Sequence, residues 1–591
     1  MTAISALIDF SSRAEAGGPR LRQAFGVPRE TLVAHTPEQV RPVLDAVQSQ
    51  ARQGRWCVGY LRYEAACAFD PALAVHEADG ALAWFGVHDQ ALPWPEEIGE
   101  VAEPTLAWGP ALARADFDGV LARLQEAIAA GEFYQVNYTS LLHGRIEAAP
   151  GADPRAQALA LFAALRRAQP GGYSAFIDDG ATQLLSVSPE LFFEWQDGRL
   201  LARPMKGTAA RGATPQEDAE AAAHLRGSAK ERAENVMIVD LLRNDLSRIA
   251  EPFSVAVPRL FHAQALPTVW QMSSDVTART RAGCTLADVF AALFPCGSVT
   301  GAPKVSAMRM IRALEAAPRG IYCGAAGVVR PGGDAVFNVP IRSVTLRDGR
   351  ATCGIGSGIT SGSQAEAEWQ EWRHKRTFLE RASAPFALLE TMAMEDGFFR
   401  DSAGHLARLS AAAAHFGHPF PVETVARRLR RLRLDHPSGL WRVRLLLDAH
   451  GGVQAEAFPH AAAPPRVRLQ LADRAFDASD SEFVRFKTTR RAHYDAFAPT
   501  REGIFDTLLW NARGEFTECT RGNIAFRIGG RWLTPPPACG LLAGIGRERF
   551  LREGRLAESV VRVEELPRVE ALAFVNSLRG WVDAELDGRA P

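Results

Sequence analysis

The sequence predicts an α/β (α+β) protein built as two successive units, and three observations carry that reading. The first is length: 591 residues exceed what one hydrophobic core holds, since domains commonly run to about 100–200 residues. The second is a change of period along the chain. FDGVLARLQEAIAAG and AKERAENVMIVDLLRNDLSRIA repeat their apolar residues at helical spacing. GGYSAFIDD, TQLLSVS, AVFNVPIRSVTL and GLWRVRLLLDA are extended runs rich in apolar and β-branched residues. Helices and strands alternate in this way in both halves. The third is a break. The charged helical stretch AEAEWQEWRHKRTFLERA runs into Ser383-Ala384-Pro385, where proline stops a helix, and the extended segment FALLETMAM begins anew.

The expected organisation is therefore residues 1–110, 111–383 and 386–591. The first boundary rests on the cluster Pro93, Pro95, Pro104 and Pro110. Composition bounds the function classes. A hydrophobic content of 47% and a charged content of 23% are ordinary for folded domains. Lys+Arg total 67 against 68 Asp+Glu, so no basic excess points to nucleic acid or a membrane surface. No apolar run reaches the roughly 18–20 residues that span a bilayer. MTAISALIDFSSRAEAGG lacks the basic start and apolar core of a signal peptide. Eight scattered cysteines form no C-x-x-C pair, which argues against zinc knuckles and redox motifs. A cytoplasmic protein with reduced thiols is expected.

Chemistry enters with paired acids. Glu231 and Glu234 share a helical face, and Glu368 and Glu371 repeat the spacing. Two such helices facing each other would suit Mg²⁺, a hard ion that takes oxygen ligands, although glutamate pairs are more often solvated surface. Lys206, in ARPMKGTAARG, is either a solvated loop lysine or an enclosed one able to act as nucleophile or base. FPCGSVTGAPK and CGIGSGITSGS read as glycine-rich loops whose N–H groups can meet a carboxylate. They have neither P-loop nor dinucleotide order.

In chain order, GEFYQVNYTS, SVSPELFF, RPMKGTAARG, KERAENVMIVDLLRNDL, TVWQMSSDVTA, FPCGSVTGAPKVSAM, GIYCGAAGVV, FNVPIRSV and GIGSGITSGSQAEAEWQEWRHK resemble the chorismate-utilising enzymes. The resemblance runs from about residue 117 to 378, and more weakly back to GYLRYEAA. It implies an α/β sandwich holding chorismate and Mg²⁺. Glu234 and Glu371 match the family's metal-binding glutamates, with Glu231 and Glu368 in support. Tyr322 and Arg342 match holders of a substrate carboxylate. Gly356, Ser357 and Gly358 match the loop that receives the ring carboxylate, and Thr300, Gly301 and Lys375 complete the substrate pocket. Glu190 matches an acid/base. Family members that aminate chorismate at C4 read P-I-K-G-T where anthranilate-forming members read P-I-A-G-T; this chain reads P-M-K-G-T, so Lys206 is expected as a nucleophile and 4-amino-4-deoxychorismate as the product. Where the family often has His-Leu, this chain has Gln271-Met272. No glutaminase segment is found, which implies ammonia from a separate glutamine amidotransferase subunit.

The second half has a different character. HLARL presents Arg408, RFKTTRRAHY presents Lys487, GEFTECTRGNIAF presents Glu518, and LLAGIGRERF places glycines before a helix. A cation and a helix N-terminus suit a phosphate, a lysine suits a Schiff base, and a carboxylate suits a ring nitrogen. Each also has a plain structural reading. Together they resemble the fold-type IV pyridoxal phosphate (PLP) enzymes, a two-subdomain α/β module. The resemblance makes Lys487 the Schiff-base lysine, Glu518 the pyridine partner, and Arg408 with Ile545 and Gly546 the phosphate contacts; it also allows a homodimer through this half. Two departures stand out: Ile-Gly replaces the family's Ile-Thr, and LLET follows the first half with the family's opening segment missing. FVNSLRGW is similar to the aminodeoxychorismate lyase form of the last motif, which implies release of 4-aminobenzoate and pyruvate. The alternatives are an anthranilate-forming first half joined to an aminotransferase, or a second half that binds without catalysing.

Overall fold

The computed structural model describes residues 4–11, 20–96, 98, 104–109, 112–147, 151, 153–210, 215–265 and 269–587. Pro110, at the expected first boundary, lies outside them. The chain divides into two compact units, Met1–Ala384 and Pro385–Pro591, so the break at Pro385 is a unit boundary.

Among the described residues, the first unit has two antiparallel sheets, of nine and ten strands. Residues of Tyr173–Asp178 show how they are layered. Ala175 and Ile177 pack into a cluster shared with Val58, Tyr60, Val328 and Val336 of the other sheet. Phe176, pointing the opposite way, packs with Phe117, Leu161 and Phe162 of helices Arg114–Ala129 and Pro154–Ala168. The outer face of the second sheet is covered by Pro37–Arg52 and Leu286–Leu293. The result is a helix–sheet–sheet–helix sandwich. Both faces of each sheet are covered, so central strands such as Tyr173–Asp178 are buried at every position rather than at alternate ones. Residues 1–110 are not set apart. They give Ala6–Phe10 and Leu21–Phe25 to one sheet and Glu30–Ala34, Trp56–Leu61 and Ala83–His88 to the other.

Two extended segments differ from expectation. AVFNVPIRSVTL is two strands, Ala335–Asn338 and Ser343–Arg347, which belong to different sheets. Pro340, which has no N–H to donate, lies in the crossing. Arg342, at a left-handed φ of 48°, completes it. CGIGSGITSGS is not a loop. Its first part belongs to the strand Arg350–Thr360, paired along its length with Gln135–Glu147. Ile355 and Ile359 face the helical layer, and Gly354, Gly356 and Gly358 alternate with them, leaving a smooth face toward the site.

In the second unit a four-stranded antiparallel sheet carries the helices Ser402–Phe416 and Val422–Asp435 on a common core of Met392, Leu409, Leu429 and Leu445. A mixed eight-stranded sheet forms the other subdomain. No helix among the described residues is long and apolar enough to cross a membrane.

Phe290 is fully buried and packs against Phe69, Phe192, Phe193, Phe294 and Phe337. Phe290→Ala should therefore destabilise the first unit by about 3–5 kcal/mol, measured by denaturant unfolding followed through intrinsic fluorescence.

Candidate active sites

In the first unit the glycine face meets a lysine. Lys206 sits on Met205–Ala210, which pairs with Val269–Arg279. Gln271, in the slot where histidine was the comparison, braces this strand: its Nε2 donates to Gly207 O at 2.9 Å, and Thr208 Oγ1 donates to its Oε1 at 3.1 Å. Lys206 Nζ points at Ser298 O, 3.4 Å away. A β-carbon at position 358 would stand 2.9 Å from Lys206 Nζ and 2.4 Å from Gln135 Nε2. Only glycine leaves room for both. Gln135 is fully buried, and neither atom of its amide has a partner among the described residues. A buried amide without partners is costly, so it is available to something that enters the site. Gln135 opens the strand Gln135–Glu147, and nothing local in the sequence marks it as a site residue.

Glu190 is 3% exposed, with Oε1 unpartnered. Burial raises its carboxyl to about 7, against the opposing pull of Ser298 and Lys206. The four glutamates lie within electrostatic reach of one another but in different states. Burial raises Glu234 to about 7, with Glu231 adding to the rise and Lys206 opposing it. Glu231 is raised by burial too, and Glu371 and Glu368 reinforce the shift. Burial works against Glu371 as well, but Lys375, 2.6 Å from its Oε1, more than offsets it and leaves that carboxyl below its ordinary value. Glu368 is committed elsewhere: its oxygens accept from Ser357 Oγ and Ser363 Oγ, both at 2.7 Å. No three acids among the described residues converge as a closed metal cage. The donor chemistry nonetheless fits Mg²⁺, which is commonly held by one or two carboxylates and keeps its waters. Glu231, Glu234 and Glu371 lie within electrostatic reach of Lys206, whereas Glu368 anchors the helix Ala365–Lys375.

The expected substrate contacts are sorted in the same way. Lys375 Nζ donates to Gly356 O at 2.9 Å while pairing with Glu371. Tyr322 is buried, its ring against Gly354, and burial holds its hydroxyl well above the ordinary range. Arg342 donates to Gln169 Oε1, and burial lowers it to about 10. Two hydroxyls are spent inside the protein. Ser357 Oγ lies between Glu368 and Trp372 Nε1. Thr300 Oγ1 donates to Cys296 O at 3.1 Å, closing its own turn. Gly301 pairs with Val136 at the end of the sheet.

The second unit gathers its expected residues around Lys487. Burial lowers this amine to about 8, and Arg491 and Arg408 add to the shift. Glu518 is buried and accepts at Oε1 from Tyr494 OH at 2.7 Å and from Leu542 N at 3.2 Å. Among the described residues its Oε2 has only Asn523 Nδ2, at 3.5 Å. Burial raises Glu518 to about 7. Arg408 is not a free cation: Glu390 takes its Nε at 2.8 Å and Nη2 at 2.7 Å, and Ala543 O takes Nη1 at 2.9 Å. Burial resists ionisation of Glu390, but Arg408 and His405 outweigh it and hold that carboxyl at about 2. Glu390 lies in the LLET segment and was missed, because nothing local marks a buried acid there. Ile545 and Gly546 open the helix Ile545–Arg552. A β-carbon at Gly546 would come within 2.5 Å of the Asn576 main chain, so the close approach of the NSLRG turn accounts for Ile-Gly in place of Ile-Thr.

Comparisons with known proteins agree with this geometry. Residues 13–381 match the family described as chorismate binding enzyme, and residues 387–585 the family described as amino-transferase class IV. Aminodeoxychorismate synthase component 1 of Klebsiella aerogenes is 40% identical over 311 residues, covering 51% of this chain and 67% of that protein. Aminodeoxychorismate synthase of Streptomyces griseus is 41% identical over 281 residues, 47% of this chain and 38% of that protein. The chain thus spans only part of the length of these relatives. The solved anthranilate synthase component I of Streptococcus pneumoniae shares the fold, with a TM-score of 0.50 at 23% identity over 64% of this chain and 92% of that one. The first family match alone exceeds half of the chain, and the protein belongs to the chorismate binding enzymes, with an amino-transferase class IV domain joined behind.

Proposed function

We propose that the first unit converts chorismate and ammonia to 4-amino-4-deoxychorismate and that the second releases pyruvate from it, leaving 4-aminobenzoate. In this reading the enzyme is cytoplasmic and takes ammonia from a separate glutamine amidotransferase subunit. The observation that carries the first step is Lys206 beside the buried acid Glu190, with the unpartnered amide of Gln135 at the same glycine face.

The Lys206 amine attacks C2 of chorismate, both double bonds of the ring diene shift toward C4, and the C4 hydroxyl leaves as water with a proton from Glu190. That acid keeps its proton up to about pH 7, which suits a general acid. Ammonia then adds at C4 and gives a proton back to Glu190, both double bonds return, and the bond from C2 to Lys206 breaks, regenerating the amine. Gln135 has a donor and an acceptor to orient the incoming nucleophile. Glu234, Glu231 and Glu371 would hold Mg²⁺, which when bound supplies positive charge beside the substrate's oxygens.

For the second step, PLP when bound supplies an electron sink. Lys487, desolvated and lowered to about 8, would hold the cofactor through its amine and, once displaced by the substrate's amine, would be free to take the proton from C4 of the substrate. Glu518, with one oxygen fixed by Tyr494 and Leu542, would offer the other to the pyridine nitrogen. The N–H groups at Ile545 and Gly546 would meet the phosphate; Arg408, already neutralised by Glu390, would add direction more than charge. Loss of pyruvate aromatises the ring and drives the step forward.

Purified protein given chorismate, ammonium, Mg²⁺ and PLP should form 4-aminobenzoate and pyruvate, identified by chromatography and mass. Anthranilate as the product would overturn the reading of Lys206, and 4-amino-4-deoxychorismate accumulating alone would overturn that of the second unit. Lys206→Ala should abolish 4-aminobenzoate formation while leaving the PLP absorption band in place. Glu190→Gln should slow chorismate consumption by about 10²–10⁴-fold. A folded-state pKa of about 8 for Lys487, below its ordinary value, means that its neutral form appears as pH rises through 8. Acylation of Lys487 in the PLP-free protein, mapped by peptide mass, should rise with a midpoint near pH 8; a midpoint near the ordinary lysine value of about 10.4 would count against an enclosed amine.

A further inference from the structure

Beneath the first site lies a buried cation that touches none of the groups assigned above. Arg319 is 5% exposed. Its Nε donates to Glu315 Oε2 at 2.8 Å and its Nη2 to Glu315 Oε1 at 2.6 Å. Two further bonds go to the main chain: Nη1 to Val299 O and Nη2 to Asn137 O, each at 2.7 Å. Glu315 reaches the same strand, accepting from Thr139 N at 2.9 Å and from Thr139 Oγ1 at 2.8 Å. Glu64 fixes the arginine's own backbone, accepting from Arg319 N at 2.8 Å and Gly320 N at 3.2 Å. The guanidinium lies over the Tyr63 ring, 4.7 Å from its centre.

Two of the atoms so held adjoin the reacting groups. Val299 follows Ser298, whose carbonyl faces Lys206 Nζ. Asn137 lies opposite Gly358 in the ladder and two residues beyond Gln135. A buried ion pair is weak evidence for stability, since desolvation offsets much of the attraction. Its value here is geometric. The planar fork of arginine can serve a carboxylate and two carbonyls at once, which the single ammonium of lysine cannot.

We propose that Arg319, braced by Glu315 and Glu64, is a positioning residue for the first reaction: it sets the distance between the Ser298 turn that steadies Lys206 and the strand that presents Gln135. This rests on the function proposed above. Displacement of the reacting atoms by an ångström can cost about 10²-fold in rate, so a clamp outside the site governs the chemistry inside it.

The test is Arg319→Lys in the full chain, with Thr139→Val, which removes only the hydroxyl bond to Glu315, as a milder second variant. Both are compared with wild type for chorismate consumption across pH and for the rate of mass-mapped acylation of Lys206. With circular dichroism unchanged, Arg319→Lys should lower kcat by about 10–100-fold. It should also move the ionisation near pH 7 upward, because Glu190 would lose the nearby Ser298 hydroxyl and Lys206 charge that hold it down. Lys206 should be acylated at a changed rate. Thr139→Val should shift each quantity in the same direction by less, and it carries the test if Arg319→Lys does not fold. A loss of rate with an unmoved pH profile and unchanged Lys206 labelling would show a merely structural role and overturn the proposal, as would an unchanged rate. Wild-type protein that fails to consume chorismate with ammonia would overturn the functional reading instead, and the Lys206 labelling would still decide the role of Arg319.

Discussion

The ladder between Gln135–Glu147 and Arg350–Thr360 is the constraint on which the first unit depends. Its register sets Asn137 against Gly358 and Thr139 against Gly356. One face of the second strand is then glycine, open to Lys206 and Gln135; the other carries Ile355, Ser357 and Ile359 toward the helical layer. From that outer face Ser357 binds Glu368 and so fixes the helix that bears Glu371 and Lys375. A slip of one residue would exchange the two faces. It would bring isoleucine side chains into the site and release the helix. The lysine, the amide and the acidic helix are held in one arrangement by a pattern of small and large residues along eleven positions.

The two units reach similar electrostatics by different means. Each sets a lysine beside a buried carboxyl raised to about 7, Glu190 in one and Glu518 in the other. Neither carboxyl is neutralised by a direct ion pair; burial dominates both. The contrast is Glu390, equally enclosed but gripped by Arg408 and His405 and held at about 2. The same residue type is thus an exchangeable proton carrier in one enclosure and a permanent anion in another. What decides is whether a cation bonds the carboxylate directly, as Arg408 does Glu390.

Much of this was legible in the chain. Helix Ala229–Ser247 follows from its periodicity and the unit boundary from Pro385, and the two resemblances singled out Lys206, Glu190, Lys487 and Glu518. What escaped was set by partners distant in sequence. CGIGSGITSGS reads as a loop because glycine alternation is invisible without its partner strand. AVFNVPIRSVTL reads as one strand because nothing local says that the chain changes sheets there. Thr300 and Ser357 read as pocket residues and Glu368 as a supporting metal-site acid, yet their polar atoms serve internal bonds. Gln135, Glu390 and Arg319 carry no local mark at all; only the fold reveals what each faces.

The division of one continuous chain at Pro385 has an arithmetic consequence. Separate proteins can be made in any ratio, and a cell can raise one without the other. Here every copy of the first site is synthesised with one copy of the second. Under the proposed function, steady-state accumulation of the intermediate is then set by the ratio of two intrinsic turnover rates, and no change in gene dosage can alter that ratio. Selection on the fused protein must therefore tune the slower site by substitution, because abundance is no longer an independent variable.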